Sequence, residues 1–193
     1  MATQDVKIAT HSEIDQCVAT IVLAFSSDPA ARWLYADPHA FFENFPRFVR
    51  VFGGKAFEHG SAHQIGGSAA ALWYPPGAQP DEAALVALIE NTAKGAAKDT
   101  VFAVLEEMGR FHPSEPHWYL PLIGTDPARQ GKGYGSALLR HALAICDQEK
   151  MPAYLEATSA RSVPFYQRHG FEGLGTIQIG TSPPIMPMLR KPR

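Results

Sequence analysis

Trp118-Tyr119-Leu120-Pro121-Leu122-Ile123-Gly124-Thr125, then Asp126-Pro127, then Arg129-Gln130-Gly131-Lys132-Gly133-Tyr134-Gly135-Ser136, is the stretch whose reading decides the fold. The first eight residues read as a strand, which Asp126-Pro127 ends. Ser136 opens a helix in which Leu138, Leu139, Ala142, Leu143 and Cys146 give apolar periodicity. Between them lies a loop so rich in glycine that backbone N–H groups can approach a ligand with no Cβ in the way. At the start of a helix, such N–H groups and the helix dipole form an anion site, usually for phosphate.

Three phosphate loops compete for these residues. A P-loop needs Gly-Lys followed by Ser or Thr; here Gly131-Lys132 is followed by Gly133, and Asp126 stands where the first glycine belongs. A dinucleotide fingerprint needs Gly-x-Gly-x-x-Gly/Ala directly after a strand, with an acidic residue about twenty positions on. Gly131, Gly133 and Glu156 fit it, but Ser136 replaces the third glycine and Pro127 lies in the gap between Thr125 and Gly131. The third is Gln-x-x-Gly-x-Gly, matched by Gln130, Gly133 and Gly135.

Downstream, Ala153-Tyr154-Leu155-Glu156-Ala157-Thr158 reads as a buried strand, and Ser162-Val163-Pro164-Phe165-Tyr166-Gln167-Arg168-His169-Gly170-Phe171 as a short helix closed by Gly-Phe. The glutamine-glycine loop resembles the acetyl-CoA pyrophosphate loop of the GNAT superfamily of N-acetyltransferases. Tyr166, with Gly170-Phe171 four and five residues on, is similar to that family's second signature. The resemblance covers the last third of the chain. It implies a mixed α/β fold: a central, mostly antiparallel sheet flanked by helices and splayed at the acyl-CoA site.

Further expectations come from the resemblance alone. The loop from Gln130 through Gly131, Lys132, Gly133, Tyr134, Gly135 and Ser136 holds the pyrophosphate. The backbone of Ile123, Gly124 and Thr125 pairs with the pantetheine arm, with an N–H near Ile123 as oxyanion donor. Ser159 stands where many members have an asparagine that contacts the cofactor. Tyr166 lies beside the thioester sulfur and is the general acid. Many members carry a glutamate near the position of Tyr119, and this chain does not.

Residue chemistry narrows the rest. Gly124 inside a strand suits a bulge or a close backbone approach. A phenol protonates a leaving thiolate only when geometry and environment help, since its ordinary pKa is about 10 against about 8.5 for a thiol. Base candidates are His117, on the face of Tyr119 by alternation and with a suitable intrinsic pKa, and Glu156 on the neighbouring strand; His112, Glu106 and Glu107 stand behind them.

Composition sets outer bounds. The 193 residues suffice for one domain spanning 1–193 with a sizeable core. Seventeen basic against nineteen acidic residues, a net charge of −2, give no electrostatic case for nucleic acid or an anionic membrane. Cys17 and Cys146 read as buried reduced thiols and no metal-ligand cluster is evident. No secretion signal or membrane span is read, so a cytoplasmic protein is expected. The partner implied is a small-molecule amine, the oligomeric state a monomer or homodimer.

In chain order, Val6 and Ile8 read as an edge strand, and Ser12-Glu13 opens a helix with Ile14, Val18, Ile21, Val22 and Phe25 on one stripe. Ser26-Ser27-Asp28-Pro29 breaks it. Asp37-Pro38 starts a helix carrying Phe41, Phe45, Phe48 and Phe52, with Pro46 expected to kink or split it. That stripe reads as core, or in part as the lining of an acceptor pocket with Trp33 and Tyr35. Residues 56–58 and 69–74 read as strands. Pro80-Asp81-Glu82 opens a helix, Gly95 interrupts, and Asp99 caps another that ends at Gly109. Residues 175–179 and 185–189 read as strands, the last at an edge or with an edge-facing side because Pro187 cannot donate.

Two other functions use the same residues. One is a nicotinamide-dependent oxidoreductase built on Gly131, Gly133 and Glu156. The other is a non-catalytic acyl-CoA binder.

Overall fold

The computed structural model describes residues 5–93 and 96–193. Strands are β1 (Lys7–Ile8), β2 (Ala62–Ile65), β3 (Ala69–Tyr74), β4 (Trp118–Thr125), β5 (Ala153–Ala157), β6 (Glu172–Gly173) and β7 (Met186–Arg190). Helices are α1 (Ile14–Phe25), α2 (Pro29–Leu34), α3 (Pro38–Gly53), α4 (Lys55–Glu58), α5 (Glu82–Thr92), α6 (Ala96–Phe111), α7 (Tyr134–Gln148) and α8 (Val163–Arg168). The sheet order is β1-β2-β3-β4-β5-β7-β6. Every neighbouring pair is antiparallel except β4–β5. This is the mixed, mostly antiparallel α/β sheet that the resemblance implies, and its one parallel pair is not the parallel sheet a dinucleotide fold requires.

Three helical starts, those of α2, α3 and the 3-10 turn Pro127–Arg129, follow one chemical rule. Asp28-Pro29, Asp37-Pro38 and Asp126-Pro127 each place an aspartate at the N-cap and a proline in the first turn. The Asp28 carboxylate accepts from Ala30 and Ala31, Asp37 from Ala40, and Asp126 from Ala128. Asp28-Pro29 therefore opens α2 instead of merely ending α1. Pro46 does not split α3, which runs unbroken from Pro38 to Gly53. Helix α6 starts at Ala96, so Asp99 lies in its first turn, and it continues past Gly109 to Phe111. Gly95 lies outside the described residues. Ser162 is the N-cap of α8, but its hydroxyl donates to Ser159 O at 2.7 Å instead of capping.

Three strand expectations are corrected. Ala56–Glu58 belong to α4, because the chain turns at Gly54 and continues helically with Ala56 buried. The strand lies instead at Ala62–Ile65, where four buried residues, two of them polar, leave no alternation to read. Residues 175–179 form no strand; only Ile177 bridges, to Ile185, and Gly180 at φ 55° turns the chain. The outer strand is β6, so β7 is not at the edge. Pro187 nevertheless turns its missing N–H outward: its carbonyl accepts from Leu174 on the β6 side, and the N and C=O of one strand residue point the same way.

Two cores cover the two sheet faces. One, under α1, α3 and α5, holds Ile21, Phe41, Phe45, Leu72, Tyr74, Tyr119 and Leu122. The other, under α7 and α8, holds Trp73, Trp118, Leu120, Leu138, Leu139, Leu155 and Phe171. Cys17 and Cys146 are buried free thiols, pushed up by burial to about 11 and about 12. Among the described residues no helix is long and apolar enough to cross a membrane.

Candidate active site

The central parallel seam is short. β4 pairs with β5 only at Trp118↔Ala153 and Tyr119↔Tyr154. β4 then runs on to Thr125 and β5 to Ala157 without pairing, so the sheet splays.

Which β4 amides face the gap follows from register. The Trp118 N–H donates to Pro152 O, toward β5. The Asp126 N–H donates to Ser68 O, toward the β3 side. Eight residues of plain alternation would give both the same side. Between the pairs Leu72↔Leu122 and Tyr74↔Tyr119 the register slips, one residue on β3 facing two, Leu120 and Pro121, on β4. That bulge reverses the phase. Gly124 and Leu122 then bond to β3, and the N–H groups of Ile123 and Thr125 point into the splay. Pro121 has no N–H to leave unpaired. The bulge thus lies three residues before Gly124. At Gly124 the close approach is that of α1: a Cβ there would stand 2.6 Å from Ala24 Cβ and 3.3 Å from Ile21 Cα.

β4 leads straight into the glycine loop. Gly131 (φ 77°) and Gly133 (φ 83°) adopt left-handed backbone that other residues enter at a cost, and nothing lies within 4 Å of a Cβ built at Gly131. Gly133 caps α7, which starts at Tyr134. Ala137 is the first residue to bond back, to Gly133 O, so the N–H groups of Tyr134, Gly135 and Ser136 have no partner within α7. Gly135 lets this end approach its neighbours: a Cβ would lie 3.2 Å from Phe165 and 3.6 Å from Thr125 Oγ1. Ser136 Oγ lies 3.1 Å from His169 Nε2. His169 is depressed by burial and by Arg140, Arg168 and Arg190, the signature of a positive neighbourhood. Lys132 is exposed, and Gln130 reaches back to Thr125 O at 3.5 Å. An open, left-handed glycine loop at a helix N-terminus, beside arginines, fits a pyrophosphate.

The splay opens on a cleft of about 110 Å³ whose aromatic wall comes from Phe25, Trp33, Phe45, Phe48 and Phe52. Phe41 and Tyr35 lie outside it: Phe41 stacks on Phe45 at 4.8 Å, and the Tyr35 hydroxyl meets Thr92 Oγ1 at 3.0 Å. Tyr166, buried, lines the cleft with Ile123 and Glu156. Its phenol is pushed up by burial, then by the Asp28 carboxylate. Asp28 is a cleft residue that sequence reasoning missed. Its carboxylate accepts from Thr158 Oγ1 at 2.7 Å and from the first turn of α2, and burial raises it. Its Asp-Pro dipeptide signals a cap; nothing in the chain signals a partner 130 residues away. Ser159 Oγ accepts from Arg161 N at 3.3 Å in the turn before α8.

The base candidates occupy different places. The Glu156 side chain is 3% exposed, in the cleft. Its charge adds to burial in raising the phenols of Tyr119 and Tyr154. His117 is half-buried and lines a separate outer cavity with Tyr119. Its Nδ1 donates to Glu115 O at 2.8 Å, leaving Nε2 the lone pair, and burial lowers it. His112 bridges the two, with Nε2 3.2 Å from Glu156 Oε1 and its ring 5.6 Å from that of His117. Glu106 and Glu107 are held by Arg110 on α6.

The chain matches the model of the Acetyltransferase (GNAT) family over residues 33–171. It is 34% identical over 97 residues to an uncharacterised N-acetyltransferase of Schizosaccharomyces pombe, a match covering 49% of this chain and 37% of that protein. A crystal structure described as histone acetyltransferase HPA2 and related acetyltransferase, from Corynebacterium glutamicum, superposes with TM-score 0.67 at 29% identity, covering 97% of this chain and 96% of that one. A Drosophila melanogaster polyamine N-acetyltransferase shares the fold at 14% identity, TM-score 0.65, with 97% and 99% covered. The family model spans both motifs and most of the sheet, and the splay, loop and Tyr166 fall inside it: this chain belongs to the GNAT acetyltransferase family.

Proposed function

We propose that the chain moves an acetyl group from acetyl-CoA to the primary amine of a small molecule by direct attack in the splay. What carries the reading is convergence: the inward N–H of Ile123, the buried Tyr166 and the buried Glu156 share one cleft, and β4 runs from that cleft into the glycine loop. Relatives of the same fold point to amines as acceptors, including the Drosophila enzyme that forms N-acetylagmatine.

The cofactor supplies the acetyl group as an activated thioester. The N–H groups of Gly131 to Ser136 hold its pyrophosphate at the start of α7, with charge from Lys132 and orientation from Gln130 and Tyr134. Ile123 and Thr125 offer their N–H groups to the pantetheine arm; Gly124, bonded to β3, keeps that edge close to α1. Ile123 N–H is aimed at the carbonyl oxygen as charge gathers there. Ser159 lies beside the same arm.

Glu156 takes the proton from the acceptor amine. It reaches across to Tyr119, near whose position many members of the family carry a glutamate, so here the carboxylate comes from β5 instead of β4. His117, in the outer cavity, acts only through His112. Tyr166 gives its proton to the departing sulfur. Burial keeps that phenol protonated at any working pH, and raises a thiol expelled into the same cleft.

Thermal unfolding with acetyl-CoA, CoA, NADH and NADPH in separate wells tests the cofactor. A ligand at about 100 times its dissociation constant stabilises by roughly 2.7 kcal/mol, a midpoint rise of roughly 5–11 °C for a chain of this size. The rise is expected with acetyl-CoA and CoA only; a rise confined to the nicotinamides sinks the reading. An amine screen with thiol detection then identifies the acceptor.

A further inference from the structure

Acetyl transfer to an amine that arrives protonated does not end proton-neutral. R–NH₃⁺ and the thioester become R–NH–CO–CH₃ and a thiol, so nitrogen loses two protons, sulfur gains one, and one proton must leave the protein each turnover. On the acetyl-transfer reading above, on which this inference rests, one of nitrogen's two protons restores Tyr166, which gave its own to sulfur, and the other collects on Glu156. Its side chain is only 3% exposed, and on that reading its cleft side is where the two substrates meet.

Among the described residues, His112 leads from Glu156 to the outer cavity. His112 Nε2 lies 3.2 Å from Oε1, and the His112 side chain is 30% exposed. The pair sits at ion-pair distance but off hydrogen-bond alignment, so Oε1 is a buried carboxylate oxygen with no aligned donor. Such an atom is costly unless it has a use. His112 packs on Tyr154 (4.5 Å between ring centroids) and Tyr119 (4.6 Å) and opens on a cavity of about 860 Å³. The groups facing His112 are Glu156 and Tyr154 on β5, Tyr119 and His117 at the start of β4, and, around the cavity, Glu82 on α5, Glu106 on α6 and Glu115. Among the described residues no lysine or arginine lines that cavity; Glu106 is paired with Arg110, and the carboxylates of Glu82 and Glu115 favour a departing proton.

We propose that His112 is a proton relay: it takes the proton that Glu156 removes from the acceptor and passes it to water in the outer cavity, directly or through His117. Glu156 Oε1–H gives its proton to His112 Nε2, a small ring rotation bringing the two into line. The imidazolium then loses its Nδ1 proton, and exchange with water restores the first tautomer. No electron is exchanged and no bond other than N–H and O–H is made or broken.

The test uses the full chain, acetyl-CoA and an amine that the wild type acetylates. His112→Gln is expected to lower kcat by about 10-fold or more, toward the ~10²-fold worth of a positioned proton-transfer group. Affinity for acetyl-CoA by calorimetry stays within twofold. Added imidazole restores His112→Gln, and His112→Ala more fully, since the cavity left can admit it; it does nothing for Tyr166→Phe. The pH profile of kcat changes shape in His112→Gln. Turnover within twofold of wild type overturns the relay, and so does a loss that imidazole fails to restore in either variant. A wild type that acetylates no amine removes the acetyl-transfer reading and the relay with it.

Discussion

Tyr166 shows how far a single residue can be read. Its spacing to Gly170-Phe171 gives it away in the sequence, and the structure puts it in the cleft with Ile123 and Glu156. The environment that fixes its proton does not show in the sequence. The second influence on the phenol, after burial, is Asp28, which accepts from Thr158, a partner 130 residues from it in the chain. Tyr166→Phe keeps the ring and removes the hydroxyl with its proton. It is expected to lower kcat by about 10²-fold while acetyl-CoA affinity by calorimetry stays unchanged; undiminished turnover takes Tyr166 out of the acid role. His112 was legible only as one of several acidic or imidazole groups near β4, because its contact with Glu156 depends on how the chain leaves α6.

At the scale of elements, strands with strong periodicity or a glycine loop were legible: β3 and β4 fall where the sequence places them, and α7 starts two residues earlier. What escaped has physical causes. β2 is buried on both faces, so its Ala-His-Gln-Ile has no alternation. α2 hides behind an Asp-Pro that looks like a stop. Gly180, left-handed at φ 55°, turns the chain just after the isoleucines and leaves Ile177 with a single bridge. Gly124 reads as a site glycine and is held by packing against α1. Gly124→Ala is therefore expected to destabilise by about 1–3 kcal/mol through overpacking, lowering the midpoint by roughly 2–12 °C. An unchanged melting curve would show that α1 can move away at no cost.

Across the whole molecule, buried histidines make stability fall in mild acid. His63 is 2% exposed, lies edge-on to His141 at 4.7 Å, and has an Nδ1 with no partner. Burial, then His141, lowers its pKa from 6.5 to about 4. The unfolded chain takes up that proton below about pH 6.5 while the folded chain resists it until about pH 4. Stability is thus whole above the first value and lost as pH falls through the second, by up to about 3 kcal/mol. His117 and His169, also depressed, push the same way. Asp147, held below the usual carboxylate range by a two-point bond from Arg190, extends the loss at still lower pH. Asp28, raised by burial, opposes it. Denaturant titrations at pH 7 and pH 4.5 are expected to show the decline, and His63→Leu to flatten it; equal slopes in the two proteins would remove His63 as the cause.

The bulge at Leu120-Pro121 also constrains how this chain can diverge. One residue gained or lost there would exchange the amides of Ile123 and Thr125 for those of Leu122 and Gly124, turning core outward and cleft inward together. Insertions and deletions among relatives are therefore expected to gather in the helices of residues 82–111 and in the surface turns.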